Sequence, residues 1–277
     1  MKVIVFGGSR NIGYFSALRL LEKGATVTFL LRSPSVFDND DKIKAYVASG
    51  HARLVQGDAL NADDVRRAWE KAGEGEPDLG TVDVCLFTVG TIPKFSLTKG
   101  VYQTPADLCT RSMLNVLSTA PKPSKTKFIA LSSNGIGKSS HATLPLPLKP
   151  VYNILIATPH KDKLGLERVL AHVVGRPWVK ADMGDEPSAE FLPSGWESTP
   201  GLPGAGELKE VVLLRPALFT DGECKGDSVK GKEPYRVVEG NLPGLWTVSR
   251  KDVAHFIVEG LLEDWKKWEG KIVTMGY

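Results

Sequence analysis

The feature that most constrains the fold lies at the start of the chain, where an apolar segment runs directly into a glycine-rich one. Val3–Phe6 is an unbroken apolar run, and Gly7, Gly8 and Gly13 follow it. A continuous apolar run is typical of a parallel strand that is buried on both faces. Glycine permits a tight turn, and the segment that begins at Ile12 has the apolar spacing of a helix. This start therefore predicts a strand, a tight turn and a helix in succession.

The same alternation continues along the chain. Short apolar runs alternate with longer segments of helical period, which is the pattern of βαβ units around a parallel sheet. A capping box at Ser249 and Asp252 marks the start of the last helix. The expected fold class is a doubly wound α/β fold with a parallel sheet of about seven strands. The predicted strands are Val3–Phe6, Thr26–Leu31, Arg53–Val55, Val82–Phe87, Lys127–Leu131, Glu210–Leu214 and Ile272–Thr274, and the predicted helices are Ile12–Lys23, Ala62–Ala72, Ala106–Thr119, Asp162–Val174 and Arg250–Trp268.

Two long segments interrupt the alternation. Ser140–Pro150 is rich in proline, and Met183–Glu207 is rich in glycine, proline and acidic residues. Loops of this length in an α/β domain are usually functional. Trp178, Phe191 and Trp196 indicate that the second segment is ordered and partly buried. We expect one domain over residues 1–277, with a small C-terminal substrate lobe formed mainly by residues 140–210 and 219–247.

Composition excludes several classes of protein. With 277 residues, 42% hydrophobic and 24% charged, the chain is an ordinary globular protein, and its net charge of +3 is too small for a nucleic-acid partner. Cys85, Cys109 and Cys224 are far apart, which predicts neither zinc nor a disulfide framework but a reducing compartment. Val3–Phe6 is too short for the apolar region of a leader peptide, and no apolar run approaches the roughly 20 residues of a membrane span, so we expect neither. We expect a cytoplasmic protein with a small-molecule substrate and no membrane partner. The oligomeric state stays open.

The glycine-rich turn has the chemistry of a dinucleotide-binding site. Gly7 or Gly8 allows the tight turn and lets the backbone approach a pyrophosphate, and Gly13 lets the helix pack closely. The N-terminus of the helix adds N–H donors and a partial positive charge. Asn11 stands between the glycines, and asparagine tolerates a left-handed backbone better than most residues, so the turn is retained. Because the motif follows a strand and precedes a helix, we expect it to bind a dinucleotide.

The end of the second predicted strand bears on the choice of cofactor. Arg32 follows Leu31 and stands nineteen positions after Gly13, where an NAD site would place an acidic residue on the ribose 2′-hydroxyl. A guanidinium instead matches a phosphate with paired donors, and Arg10 in the turn is a second cation for the same group. The sequence therefore predicts NADP rather than NAD.

Short motifs also follow the other predicted strands, at the edge where open α/β sheets bind ligands. They are Gln56-Gly57-Asp58-Ala59, Thr88-Val89-Gly90, Leu131-Ser132-Ser133-Asn134-Gly135 and Leu214-Arg215-Pro216-Ala217-Leu218. The first turn follows the pattern G-x-x-x-G-x-G with Asn11 at the middle glycine, and Asp252-Val253-Ala254 opens the last helix. In these motifs and their order, the whole chain resembles the atypical, or extended, short-chain dehydrogenase/reductases, particularly the NmrA-like and flavin-reductase-like proteins.

This resemblance implies a Rossmann sheet that binds NADP across its strand ends. In the family, the aspartate that matches Asp58 contacts the adenine amino group, and the segment that matches Thr88–Gly90 runs beside the adenosine ribose. The cofactor-binding residues expected from the motifs and the resemblance are Gly7, Gly8, Ser9, Arg10, Asn11, Ile12, Gly13, Arg32, Ser33, Asp58, Ala59, Thr88, Val89, Gly90, Ser132, Lys163, Pro216, Ala217 and Leu218.

The resemblance is weaker at the expected active site. The reductases of the family use a serine, a tyrosine and a lysine, with the last two in a Y-x-x-x-K arrangement. The phenol donates a proton, and the lysine lowers the phenol pKa and holds the nicotinamide ribose. Lys163 matches the lysine, but Pro159 occupies the tyrosine position. Ser133 best matches the serine, with Ser132 as the alternative.

Three sources of the missing proton are open. His160 adjoins the tyrosine position and is a residue type that titrates near neutral pH. Tyr152 lies in the proline-flanked segment, from which a phenol could reach the substrate. The third possibility is that no protein acid is needed, because hydride transfer to a flavin or another conjugated acceptor can take its proton from water. The remaining histidines have no metal-ligand spacing.

Three functions fit these residues. The first is an NADPH-dependent reductase acting on a small carbonyl, enone, quinone or flavin-like acceptor. The second is a redox sensor of the NmrA type, which binds the dinucleotide without turning over a substrate. The third is an epimerase-like isomerase or lyase that retains NADP. Lys163 and Ser133 favour the reductase, whereas the missing tyrosine favours the sensor.

Overall fold

The computed structural model describes residues 1–75, 80–91, 94–96, 100–122, 125–154, 156–228 and 233–277. Its strands are β1 (Lys2–Phe6), β2 (Thr26–Leu31), β3 (Ala52–Gln56), β4 (Val84–Phe87), β5 (Lys94–Ser96), β6 (Gly100–Tyr102), β7 (Lys127–Leu131), β8 (Val211–Pro216), β9 (Leu218–Thr220), β10 (Arg236–Glu239), β11 (Thr247–Ser249) and β12 (Ile272–Gly276). Its α-helices are α1 (Asn11–Glu22), α2 (Asp41–Ala48), α3 (Ala62–Gly73), α4 (Leu108–Thr119), α5 (Lys138–Ala142), α6 (Lys149–Ile154), α7 (Ala157–Val174), α8 (Lys180–Met183), α9 (Lys225–Ser228), α10 (Arg250–His255) and α11 (Trp265–Trp268).

Eight of these strands form one sheet, in the order β10-β12-β8-β7-β4-β1-β2-β3. Neighbouring strands are parallel throughout except for the antiparallel pair β10 and β12. From β1 the chain first adds β2 and β3 on one side and then β4, β7 and β8 on the other. The strand order therefore reverses between β1 and β4, which is where a doubly wound sheet opens a crevice at the carboxyl ends of its strands. This topology confirms the predicted fold class.

Apolar residues that alternate along the strands form a core on each face of the sheet. In β1, Val3 and Val5 belong to the core that contains α1 and α10, whereas Ile4 and Phe6 belong to the core that contains α3, α4 and α7. Successive side chains of a strand point to opposite faces, so a continuous apolar run fills both cores. This is why the most apolar segments of the sequence became the central strands.

All seven predicted strands are present. Two have the predicted ends, and the ends of the other five differ by at most two residues. The prediction of a single helix over Arg250–Trp268 is wrong. This part of the chain contains α10, a π-helical turn over Phe256–Leu261 and α11. The wide turn is closed by a bond from the Leu262 N–H to the Ile257 carbonyl, and the Phe256 ring lies where a side chain at Gly260 would otherwise be. Glycine at position 260 therefore leaves room for the Phe256 ring.

The capping box of α10 forms in part. Ser249 Oγ accepts the backbone N–H of Asp252 at 2.9 Å, as predicted. The Ser249 N–H bonds instead to the hydroxyl of Tyr277, which itself donates to the Asp252 carboxylate. Tyr277 thus accepts the N–H group that the side chain of Asp252 would accept in a complete capping box.

The two long insertions differ from each other in structure. The proline-rich segment contains parts of α5 and α6, which the sequence did not predict. The second segment is mostly irregular, and its Phe191 and Trp196 are buried, as expected for an ordered segment, while Trp178 is half-buried. In the described part of the chain, no helix has the length and apolar character that crossing a membrane requires.

Candidate functional site

The glycine-rich turn joins β1 to α1 at the crevice between β1 and β4. Gly7 has a φ of 88°, and Asn11 has a φ of 55°. Asn11 is the one non-glycine residue in the described ranges with a positive φ, which is the backbone conformation that the sequence predicts for it. Thr88 Oγ1, just after β4, lies 3.1 Å from the carbonyl oxygens of both Phe6 and Gly7 and donates to them. The turn is therefore fixed by its own backbone and by the end of β4.

The glycines of this turn are required by packing within the protein. A Cβ at Gly7 would lie 2.7 Å from the carbonyl carbon of Thr88, and one at Gly13 would lie 2.4 Å from Thr88 Oγ1. A Cβ at Gly8 would lie 2.7 Å from the ring of Phe29. The prediction for Gly13 is confirmed, because it permits close packing. The missing side chains of Gly7 and Gly8 would point into the protein, so packing and the tight turn require these glycines, and the approach of the backbone to a pyrophosphate stays a prediction.

The first turn of α1 can hold an anion. No side chain of the described residues caps its N-terminus, and its first turn contains no acidic residue. Ser9 and the exposed Arg10 precede it, and Ile12 anchors it in the core. The N–H groups of a helix N-terminus are unsatisfied within the helix and carry a partial positive charge. These residues fit the pyrophosphate of a dinucleotide.

An open pocket of about 580 Å³ lies beyond the ends of β2 and β3. Sequence analysis had named Arg32 and Asp58 of this pocket but had missed Arg67, which lies on α3 and pairs with Asp64 at 2.8 Å. The missed signal is the spacing Asp64-x-x-Arg67, which places both side chains on one face of the helix. The lining residues are Arg32, Gln56, Gly57, Asp58, Asp64 and Arg67.

Several polar groups of this pocket form hydrogen bonds or ion pairs within the protein. The Asp64 carboxylate accepts the N–H of Asp58 at 2.8 Å, and this bond together with Arg67 lowers the pKa of Asp64. The Asp58 carboxylate accepts the N–H of Leu60 at 3.0 Å. Arg32 is exposed and makes no ion pair with any described residue. Arg32 is therefore the cation of this pocket that remains available to a ligand.

The other predicted cofactor residues lie along the same edge of the sheet. Ser33 follows Arg32 and bonds to Ser35, and the Ala59 carbonyl accepts from Asn115 at 2.9 Å. Val89 is half-buried and Gly90 is exposed. Pro216 and Ala217 are buried, and the Pro216 carbonyl accepts the N–H of Asn134, whereas Leu218 is half-buried in β9. Only the last of these three therefore offers a partly exposed side chain.

Ser132 and Ser133, the two serine candidates, have different surroundings. Ser132 is buried, and its hydroxyl donates to the Glu167 carboxylate beneath the strand end. Glu167 is held in turn by a buried two-point ion pair with Arg215, whose Nε donates at 3.0 Å. Ser133 is half-buried, and its Oγ lies 3.1 Å from Nε2 of His160. The structure thus leaves Ser133 as the serine that can meet a ligand.

His160 and Tyr152 lie side by side next to Ser133. Their rings meet edge to face, with centroids 5.2 Å apart. Burial, together with the nearby charge of Lys163, lowers the pKa of His160 to about 3, and burial raises the pKa of Tyr152 to about 12. Tyr152 lies on α6, and only 3% of it is exposed. At neutral pH the imidazole is uncharged and the phenol holds its proton tightly, so neither is a good general acid.

Lys163 lies one turn after His160 on α7. Its Nζ donates to the carbonyl oxygen of Leu131, the last residue of β7, at 2.6 Å. The ammonium therefore lies at the carboxyl end of β7, and its role at the nicotinamide ribose stays a prediction.

A second contact fixes the helix that carries Lys163. The buried Asp162 carboxylate accepts the N–H groups of Cys109 and Thr110, so it caps α4. A Cβ at Gly165 would lie 2.4 Å from Thr110 Oγ1, so glycine lets α7 pack tightly on α4. The position of Lys163 therefore depends on α4 as well as on α7.

These groups lie at the carboxyl edge of the sheet. The uncapped N-terminus of α1 follows β1, and the Ser133 hydroxyl, the His160 imidazole and the Lys163 ammonium lie at the end of β7. Many solved structures share the fold. They include anaerobillin reductase ChuY of Escherichia coli O157:H7 (TM-score 0.57, 17% identity, 99% of this chain and 96% of that one) and yeast methylglyoxal/isovaleraldehyde reductase Gre2 with NADPH (TM-score 0.56, 14% identity, 98% and 77%). A Rossmann-fold NAD(P)-binding protein of Shigella flexneri has a TM-score of 0.53 at 17% identity, covering 99% and 92%. The chain has the Rossmann fold of NAD(P)-binding proteins.

Sequence comparison adds one curated relative. Reductase pytE of Aspergillus terreus is 29% identical over 153 residues, which are 54% of this chain and 47% of that protein. The similarity thus covers about half the length of the relative. No protein-family model matches the chain.

Proposed function

We propose that the protein is an NADPH-dependent reductase whose acceptor is a small conjugated molecule such as an enone, a quinone or a flavin. The observation that carries this proposal is the placement of Lys163 and the Ser133–His160 pair at the end of β7, two strands from the uncapped N-terminus of α1. In this arrangement a dinucleotide that lies across the strand ends has its pyrophosphate at α1 and its nicotinamide near Ser133. The names of the structural neighbours and of the curated relative, several of them reductases, support the same class of reaction.

The preference for NADPH over NADH rests on three arginines. Arg32 lines the pocket beyond β2 and makes no ion pair with any described residue. Arg10, in the turn, is exposed and also makes no ion pair with any described residue. Paired donors of a guanidinium match a phosphate, so these two side chains bind the 2′-phosphate. Arg67, across the pocket, adds positive charge that Asp64 partly neutralises.

The proton chemistry favours a conjugated acceptor. Bound NADPH supplies a hydride, and the reduced acceptor also gains one proton. The low pKa of His160 and the high pKa of Tyr152 make both side chains poor proton donors at neutral pH. Conjugation spreads the charge of the reduced acceptor, which can then take its proton from water. In this proposal Lys163 holds the nicotinamide ribose. The Ser133 hydroxyl, which donates to the Asn134 carbonyl at 3.1 Å, turns on ligand binding to donate a hydrogen bond to the acceptor oxygen.

The test measures NADPH and NADH oxidation with quinones, flavins, enones and aldehydes. We expect turnover with NADPH and conjugated acceptors, little with simple aldehydes, and loss of both cofactor affinity and turnover in Lys163→Met. Lys161→Met, which changes a neighbouring exposed lysine, is the matched control. Faster reduction of simple aldehydes than of quinones would contradict the proposed acceptor class.

The missing tyrosine and the unfavourable pKa values of His160 and Tyr152 also support a second candidate, a sensor that binds the dinucleotide without turnover. Calorimetry separates the two functions. Tight NADPH binding without oxidation by any acceptor in the panel would favour the sensor.

A further inference from the structure

The oxygen of the Ser133 side chain takes part in two hydrogen bonds. Its hydroxyl donates to the Asn134 carbonyl at 3.1 Å, and Nε2 of His160 lies 3.1 Å from the same Oγ. A hydroxyl has one proton to donate, whereas its oxygen can accept two hydrogen bonds. Since the Ser133 proton is directed at the Asn134 carbonyl, the imidazole nitrogen has to be the donor. Nε2 of His160 therefore carries a proton, and Ser133 Oγ accepts a hydrogen bond from it.

The other ring nitrogen of His160 agrees with this assignment. In the described part of the chain, no residue forms a hydrogen bond with Nδ1 of His160. A neutral imidazole has one N–H group, and its second nitrogen is an acceptor. If Nδ1 carried the proton, its N–H would have no acceptor among these residues, and Nε2 would need the Ser133 proton that the Asn134 carbonyl accepts. With the proton on Nε2, both donor groups of the pair have an acceptor.

Packing fixes the direction of the imidazole. The rings of Tyr152 and His160 meet edge to face, with an angle of 81° between their planes. A Cβ at Gly135 would lie 2.8 Å from the Tyr152 ring, so Tyr152 packs against the segment that follows β7. The backbone N–H of His160 donates to the Ile156 carbonyl at 2.9 Å, within α7. The imidazole is thus held by α7 and by Tyr152 of α6, with Nε2 at Ser133.

The surroundings of the imidazole keep it neutral. Burial lowers the pKa of His160 to about 3. Positive charges nearby act in the same direction, and they belong to Lys163 on α7, His141 on α5 and Arg215 in β8. Tyr152, on α6, also faces the ring, and burial raises its pKa to about 12, so it stays uncharged. His160 therefore offers one N–H donor to Ser133 at neutral pH and does not gain a second proton.

We propose that His160 is a positioning residue, whose Nε2–H holds Ser133 Oγ while the Ser133 hydroxyl donates to the oxygen of the acceptor. This inference rests on the proposed function and assigns a role to the histidine beside the missing tyrosine. The acceptor takes its hydride from NADPH and its proton from water, so His160 and Ser133 keep their own protons. In a chain of hydrogen bonds, each bond strengthens the next. The chain therefore stabilises the negative charge that develops on the acceptor oxygen.

Nitrogen NMR of protein labelled with 15N-histidine tests the proton assignment without any turnover. We expect Nε2 of His160 to carry the proton and Nδ1 to lack it, with no titration between about pH 5 and about pH 8. The signals of His160 are identified by their loss in His160→Gln, and free histidine in the same buffer is the reference for a titrating imidazole. A proton on Nδ1, or titration of His160 in this range, would overturn the proposal.

Two variants separate the hydrogen bond from the space that the ring fills. His160→Gln keeps an N–H donor at the end of the side chain, whereas His160→Leu removes it. We expect His160→Leu to lower kcat for quinone reduction about three- to tenfold, the effect of one hydrogen bond, without changing the KM for NADPH. His160→Gln should retain most of the activity. His51→Leu and His51→Gln, at an exposed histidine, are the matched controls and should change nothing.

A double variant shows whether His160 acts through Ser133. Ser133→Ala removes the hydroxyl, so His160→Leu should lower kcat no further in that background. A further loss of the same size would show that His160 acts independently of Ser133. Equal losses in His160→Gln and His160→Leu would show that the ring only fills space. Either result would overturn the proposal.

Binding of an oxyanion separates this proposal from the proposed function. The probe is 2-hydroxy-1,4-naphthoquinone, which is an anion at neutral pH and so resembles a reduced acceptor. In calorimetry with NADP present, His160→Leu should weaken its binding about three- to tenfold, and His160→Gln should not. This pattern without NADPH oxidation by any acceptor would support the hydrogen-bond chain and count against the proposed reductase. Equal affinities of the wild type and His160→Leu would overturn the role of His160.

Discussion

Arg32 and Arg66 are both exposed arginines near the ends of β2 and β3, but only one of them lines the pocket. Arg66 pairs with Asp63 on the outside of α3, whereas Arg32 makes no ion pair with the described residues. We expect Arg32→Ala to weaken NADPH binding by about 1.5–3 kcal/mol, as for loss of a hydrogen bond to a charged group, and to leave NADH binding unchanged. Arg66→Ala is the control. Calorimetry with both cofactors tests this, and equal affinities of the wild type for NADPH and NADH would contradict the role of Arg32.

His160 gives a prediction about stability and pH. Its pKa is lowered from 6.5 to about 3 by burial and nearby positive charge. Between these values the unfolded chain binds a proton that the folded chain excludes, so this group makes folding less favourable as the pH falls below 6.5. Between about pH 7.5 and about pH 5, His160→Gln should therefore lose less stability than the wild type. Urea unfolding at both pH values measures this, and His51→Gln, at an exposed histidine, should behave like the wild type.

At the scale of elements, the contact between the β1–α1 turn and the end of β4 predicts that substitutions at Gly13 and at Gly90 differ in their effect on stability. A Cβ at Gly13 would meet Thr88 Oγ1 and the Gly7 carbonyl, whereas one at Gly90 would have no described atom within 4 Å. We expect Gly13→Ala to cost about 1–3 kcal/mol of the free energy of unfolding, as overpacking does. Gly90→Ala should change it by less than about 0.5 kcal/mol. Urea unfolding of both variants tests the difference, and equal midpoints would show that the turn can move away from β4.

The packing of α7 on α4 gives a second prediction at this scale. The Asp162 carboxylate accepts two N–H groups at the start of α4 and the side-chain amide of Gln103. Asp162→Ala leaves the two buried N–H groups without a side-chain acceptor, so we expect a loss of about 1–3 kcal/mol of stability, with a smaller loss for Asp162→Asn. Asp107→Ala is the control, because Asp107 precedes α4 but makes no capping bond with its side chain. Thermal unfolding measures all three, and an unchanged midpoint for Asp162→Ala would contradict the role of this cap.

The elements that could be predicted from the sequence are those whose own residues determine them. The central strands follow from unbroken apolar runs, and the left-handed backbone of Asn11 follows from the glycine pattern around it. β10 was missed because Arg236–Glu239 is short and half-exposed, and it becomes a strand only by pairing with β12. The contact of Ser133 with His160 and the cap that Asp162 provides join residues far apart in the chain. No local pattern encodes such contacts, so the candidate residues could be named but not their geometry.

At the scale of the whole molecule, the three cysteines lie in different parts of the fold. Cys85 lies in β4, at the centre of the sheet between β1 and β7. Cys109 lies in the first turn of α4. Cys224 lies outside the sheet, just before α9, between Arg19 of α1 and Asp252 of α10. All three are buried and none is in a disulfide. Burial raises the pKa of each thiol, to about 12 for Cys109 and Cys224.

These positions predict an order of chemical labelling. The thiolate is the reactive form, so a buried thiol with a raised pKa reacts only after the structure around it opens. We expect no thiol of the native protein to react within minutes at neutral pH with an aromatic disulfide reagent, and all three to react in guanidinium. Under mild denaturation Cys224 should be labelled first, because the segment before α9 can move away from α1 and α10 while the sheet stays intact. Cys85 should be labelled last, because its exposure separates β4 from both neighbours and so requires global unfolding. Mass spectrometry of peptides from partly labelled protein gives this order, and labelling of Cys85 before Cys224 would show that the centre of the sheet opens before the segment that contains Cys224.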